Sequence, residues 1–299
     1  MEKLSIRQKY QTYFEEMAKM SSAADKIDST NVYQAGNPKT RQVMDLLIKE
    51  NTAQGSGIEG KENFINFIDQ IKAGKHGLIL MEHYSNTDLP GLLWSLKNDG
   101  DPKLAELSDR IVAIAGMKLN EANPMVKAFA ESFSRVVIYP TRSLNSAEEK
   151  VQTPEERIAE EAKARKINLA AMHAMDDCKK RGEVILVFPS GTRYRPDKPE
   201  TKRGLREIDS YLRLFDIVIL ISVNGSILTI DPEHSEDMLS DIVYPAKVVY
   251  TASPVIECKS FRKEYLATLP ADEADPKQRM IDHVMDLLQE QHTNMEKLQ

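Results

Sequence analysis

The chain is short of cysteine, of positive charge and of long apolar runs. Its two cysteines, Cys178 and Cys258, have no metal-ligand spacing, and a reducing cytoplasm is their simplest home. A net charge of −6 argues against a nucleic-acid partner. The longest apolar run, around Ile217 to Ser222, is strand-sized and far too short to cross a bilayer. Met1 to Ser5 carry neither an apolar core nor a small-residue cleavage pattern, so no secretory signal is expected. No glycine-rich nucleotide loop with its lysine occurs, and no Gly-x-Ser-x-Gly elbow closes a strand. What is left has ordinary globular composition, with 41% hydrophobic and 29% charged residues among 299.

The first fifty residues read as helical, with Tyr10, Tyr13, Phe14 and Met17 at 3–4 spacing. Asn51 to Gly57 is turn-rich and marks a boundary. The expected organisation is an N-terminal helical subdomain over 1–57 and an α/β domain over 58–299. In the latter, strand candidates at 78–81, 111–115, 136–139, 184–188, 217–222 and 248–252 alternate with helical stretches. The helical stretches are 89–97, 125–133, 154–180 and 205–214, with a final helix over 276–288. Such alternation predicts a mostly parallel central sheet covered by helices on both faces.

Two strand ends carry chemistry. The run Leu78–Met81 stops at Glu82-His83, Asp88 follows five positions after the histidine, and Pro90 opens a helix. A histidine five residues from an aspartate also arises by chance. The strand–loop–helix context gives this pair weight, because open α/β sheets place their sites there. His83 is the candidate general base and Asp88 its orienting partner.

The second strand, Val184–Phe188, ends in Pro189-Ser190-Gly191-Thr192-Arg193-Tyr194-Arg195. Gly191 permits a tight turn. Arg193 and Arg195, two apart, point to one side if the loop is extended, and paired guanidinium forks suit a phosphate. Arginines in a polar loop are also ordinary solvated surface.

Together the two boxes resemble the glycerolipid acyltransferases, which carry a His–four residues–Asp box and a later proline-small-Gly-Thr-Arg box. The nearest likeness is to the soluble glycerol-3-phosphate acyltransferases of chloroplasts and their bacterial relatives. It rests on Pro189-Ser190-Gly191, Arg193-x-Arg195-Pro196-Asp197, Asp109 to Gly116 and Arg135 to Tyr139. Where those enzymes carry a Lys-His pair in the phosphate site, this chain has Arg142 and Ser143, and Glu82 stands where the family usually has Asn.

The resemblance implies acyl transfer from acyl–acyl carrier protein or acyl-CoA to the sn-1 hydroxyl of glycerol 3-phosphate, with no cofactor. His83 and Asp88 would be catalytic, and Arg142, Arg193 and Arg195 would hold the phosphate. Ser190 and Gly191 would supply a turn and an oxyanion donor. Leu89, Leu92, Leu93 and Trp94 are either groove lining or a buried helix face. Lys198, Lys202, Arg203 and Arg206 are candidates for docking an acidic carrier protein. Lysophosphatidic acid as acceptor, or a non-catalytic phosphate- or lipid-binding relative, are the alternatives. The expected location is cytoplasmic, soluble or peripheral at the inner membrane surface.

Overall fold

The structure is a computed structural model that describes residues 3–24, 26–117, 119, 124–140, 153–234 and 237–298. Its strands, in chain order, are β1 (Tyr33–Gln34), β2 (Gly57–Glu59), β3 (Gly77–Met81), β4 (Ile111–Gly116) and β5 (Arg135–Ile138). They continue with β6 (Val184–Val187), β7 (Ile217–Asn224), β8 (Leu228–Thr229), β9 (Ile242–Val243), β10 (Val249–Ala252) and β11 (Ile256–Glu257). The fold is α/β, with a mostly parallel sheet flanked by helices.

By packing, the chain forms two compact units, each entered more than once. One comprises residues 1–9, 45–111 and 182–299; the other comprises 10–44 and 112–181. Residue 57 is not a division between them. It lies inside the first unit, where Gly57 of β2 pairs with Val249 of β10.

In the first unit, β3 lies parallel to β6 on one side and to β7 on the other. All five residues of β3 and all eight of β7 are buried. Side chains alternate along a strand, so burial at every position means that both faces are covered. This explains why these strands read as unbroken apolar runs. Phe64, Phe67, Ile68 and Ile71 of the Lys61–Lys72 helix supply part of the cover. Gly77 is small because a Cβ there would strike Ile71 and Phe67. Strand β10 closes antiparallel on β7 and parallel on β2.

In the second unit, β5 pairs antiparallel with β1 and parallel with β4. The Pro154–Lys180 helix begins as its sequence predicts. Thr153 and Glu156 form a reciprocal capping box and Pro154 occupies the first turn. Its Ala164 and Ile167 pack with Ile27, Val32, Met117, Val137 and Tyr139.

Two helices lie outside the stretches expected from sequence, although Asp101 caps the first and Pro102 occupies its first turn. Pro102–Arg110 is short and buries only Leu104, Leu107 and Ser108; Cys258–Thr268 buries only Cys258. The expected 205–214 helix is α-helical only over Asp209–Leu214, after a 3-10 turn at Arg206–Ile208. The final helix runs past 288 to Glu296.

Candidate active site

Register places the two strand ends side by side. Leu80 of β3 pairs with Val187 of β6, so the segments that leave the sheet beyond Met81 and Val187 emerge together. The His83 ring stacks on Phe188, with centroids 3.8 Å apart and planes 15° apart. The Tyr194 N–H then donates to the His83 carbonyl at 2.8 Å. Both boxes therefore lie within one unit, joined by ring stacking and by backbone.

Asp88 is the first residue of the Asp88–Asn98 helix and is almost fully buried. Burial of a carboxylate is costly unless its lone pairs are used. Here Oδ2 accepts from the Tyr84 N–H at 2.6 Å and the Ser85 N–H at 2.8 Å, and Oδ1 from the Ser85 hydroxyl at 2.9 Å. The positive end of the helix dipole also favours the charge. Gly91 lets this helix close on Tyr250, whose hydroxyl a Cβ at that position would strike. The anchored Oδ2 lies 2.9 Å from His83 Nδ1.

With Nδ1–H donating to Asp88, a neutral imidazole keeps its lone pair on Nε2. Among the described residues no side chain or backbone group bonds Nε2. The His83 side chain is 16% exposed, so the ring is reachable yet largely sheltered from bulk water. Such an arrangement can accept a proton from a hydroxyl.

Ser190 and Gly191 make the turn after β6. Gly191 has φ +65°, and a Cβ there would come within 2.6 Å of the Leu205 side chain. Its N–H donates to the Phe188 carbonyl at 2.9 Å, which spends it within the turn. The Ser190 hydroxyl donates to the Thr192 carbonyl at 2.7 Å.

Arg193 is buried and pairs with Asp241, a residue the sequence reading did not single out. The same Asp241 Oδ2 accepts from Asn86 Nδ2 at 3.1 Å, so one carboxylate ties the loop of the histidine box to that of the arginine box. Burial pushes the Asp241 carboxyl up to about 6, against the opposing pull of Arg193. The Arg195 N–H donates to Thr201 Oγ1 at 2.9 Å, and the residue is half-buried. Arg142 and Ser143 lie outside the described residues.

Further departures concern the surroundings. Leu92 and Leu93 are core residues of their helix rather than groove lining, while Leu89 and Trp94 are half-buried. The basic run after Asp197 is largely answered from within the unit. Arg203 faces Asp282 at 3.8 Å, Arg206 meets Asp275 at 3.2 Å, and Lys202 donates to Gln289. Glu82 is buried, and His292 of the Pro276–Glu296 helix contacts it at 2.8 Å. The signal for His292 was available, since it extends the stripe Ile281, Val284, Leu288 by one turn. Nothing comparable marks Asp241, which reaches the site from the segment between β8 and β9.

An aspartate-oriented histidine at the mouth of a parallel strand has the geometry to take a proton from a hydroxyl. The Acyltransferase family model matches residues 58–220, just over half of the chain, and the chain belongs to that family. The matched span holds both boxes. A comparison with curated proteins gives no match. Among solved structures, the chain is similar to the 1-acyl-sn-glycerophosphate (LPA) acyltransferase PlsC from Thermotoga maritima. Identity is 16% and the TM-score 0.41, over 95% of this chain and 82% of that one. Among the described residues no helix is long and apolar enough to cross a membrane.

Proposed function

We propose that the protein transfers a fatty acyl group from an acyl–acyl carrier protein or acyl-CoA thioester to the sn-1 hydroxyl of glycerol 3-phosphate. The observation that carries this reading is the buried Asp88 carboxylate fixing His83 beside the loop that bears Arg193 and Arg195.

Neutral His83 takes the hydroxyl proton on Nε2 as the oxygen attacks the thioester carbonyl. Asp88 holds the tautomer and stabilises the imidazolium that forms. When the tetrahedral adduct collapses, the C–S bond breaks and the proton passes from Nε2 to the thiolate. Substrate oxygen is the nucleophile, so neither buried cysteine is needed. The phosphate is gripped by Arg195 and by Arg193, which Asp241 orients. Anchoring one end of a small acceptor converts the encounter of hydroxyl and base into a positioned one. The oxyanion donor is not Gly191 N–H as this turn stands, because Phe188 already accepts from it.

The test is thiol release from acyl-CoA and from acyl–acyl carrier protein, with glycerol 3-phosphate or lysophosphatidic acid as acceptor. Turnover with glycerol 3-phosphate that yields lysophosphatidic acid supports the reading. Turnover with lysophosphatidic acid alone moves the reaction to the second acylation. No release with either acceptor removes the enzymatic reading.

A further inference from the structure

Behind the His83–Asp88 pair lies a second titratable cluster that the acyl-transfer chemistry leaves unused. Glu82 is buried, 4% exposed, and its carboxylate is held by groups of the protein interior. Oε2 accepts from the Val223 N–H at 2.9 Å and lies 2.8 Å from His292 Nδ1; Oε1 accepts from the Tyr84 hydroxyl at 2.9 Å. His292 is held in turn. Its carbonyl accepts from Asn224 Nδ2 at 3.0 Å, and its Nε2 lies 3.3 Å from Glu296.

Tyr84 is the link to the reacting pair. Its hydroxyl sits on Glu82, while its backbone N–H makes the shortest of the hydrogen bonds to Asp88, at 2.6 Å. Its ring also meets Tyr194 edge-on at 5.9 Å, and the Tyr194 N–H supports the His83 carbonyl. Displacing the Tyr84 side chain therefore disturbs two supports of the imidazole.

We infer that His292 and Glu82 form a charged positioning pair, which holds Tyr84, and through it Asp88 and His83, in the geometry that proton transfer requires. The inference rests on the reading of His83 as the base. It makes the last turns of the C-terminal helix part of the apparatus for catalysis. The physical reason is that a carboxylate taken out of water needs a compensating charge. Glu82 has two neutral donors, which satisfy geometry but not charge; protonated His292 supplies the charge.

Among the described residues, the charged and titratable groups that face His292 are Glu82, Tyr84 and, on its own helix, Glu296, and Lys202 lies over the Tyr84 ring at 5.7 Å. Burial disfavours the imidazolium, but Glu82 and Glu296 outweigh it and raise the His292 pKa. Rising pH then strips His292 of its proton and leaves Glu82 uncompensated. Turnover should decline on the alkaline side while the acceptor still binds.

The test is the pH profile of kcat and of the acceptor KM in His292→Ala, His292→Gln, Glu82→Gln and the Glu82→Gln/His292→Gln double variant. His83→Ala is measured alongside, and melting curves report folding. His292→Ala should lower kcat by about 10–100-fold with the acceptor KM within about twofold, as expected for misplaced reacting groups. The alkaline decline should vanish in all the His292 variants. The double variant, a neutral amide pair, should recover much of the kcat lost by either single change. Unchanged kcat and an intact alkaline limb in His292→Gln overturn the inference, as does a defect confined to KM. If His292→Ala does not fold, the double variant carries the test. Full turnover in His83→Ala refutes the base itself. An inactive His83→Ala beside a normal His292→Gln refutes only the positioning pair.

Discussion

Asp88 shows how one buried carboxylate can anchor a loop and orient a ring. It opens a helix, gathers the Tyr84 and Ser85 amides, and presents its remaining capacity to His83. His83→Ala should reduce kcat by about 10²–10⁴-fold, the range for a positioned base, while glycerol 3-phosphate binds with nearly unchanged affinity; isothermal titration and steady-state kinetics check both halves. Arg193 carries a double load. Its replacement by Ala should raise the acceptor KM by an equivalent of about 2–4 kcal/mol. It should also destabilise the fold, because Asp241 is left buried without its cation. Adding Asp241→Asn removes that lone charge and should restore the melting temperature without restoring the KM. A KM that recovers as well would mean that Arg193 acts on the loops and not on the phosphate. The meeting of His83 with Asp88 and with the Arg193–Arg195 loop was legible because each lies within a few positions of a strand end. Asp241 was not, since nothing local in its sequence records which distant loop it meets; for His292 the sequence shows the helix face but not the carboxylate it meets.

Among the elements, the turn after β6 bears the most constraint. Gly191 is in the left-handed region and packed against Leu205, so Gly191→Ala should cost about 1–2 kcal/mol for the conformation alone. Relief of the contact adds to that. Thermal unfolding measures the loss, and kcat should fall with it, because the turn sets the approach of Phe188 and Tyr194 to His83. Stability equal to the native protein would show that the turn relaxes freely. The long strands were legible because β3, β6 and β7 are buried on both faces and therefore spelled in consecutive apolar residues. The pairs β1, β8, β9 and β11 have two residues each, too short to show any period. Their pairing is a consequence of tertiary packing, which also decides that β2 joins β10 rather than an N-terminal helical group.

For the molecule as a whole, buried titratable groups set the response to pH. Burial raises the Asp241 carboxyl to about 6. A group with its folded pKa raised contributes stability that is complete below its unfolded value, and that is lost as pH rises through the folded one. For Asp241 the loss falls between about pH 4 and 6. His292 is also raised, by Glu82 and Glu296 against burial, so its contribution is complete below about 6.5 and is lost above that. Both act in one direction. Melting temperature should fall from about pH 5 to 8, with the lower part of the decline flattened in Asp241→Asn and the upper part in His292→Gln. A melting temperature that climbs over this interval would contradict both assignments.

On the proposed reaction, the two strand-end loops share one acceptor site. The most direct measurement is a crystal structure with glycerol 3-phosphate bound. The phosphate should lie on the Arg193–Arg195 loop and the sn-1 oxygen within hydrogen-bonding distance of His83 Nε2. A phosphate seated elsewhere, or a hydroxyl turned away from that nitrogen, would contradict it.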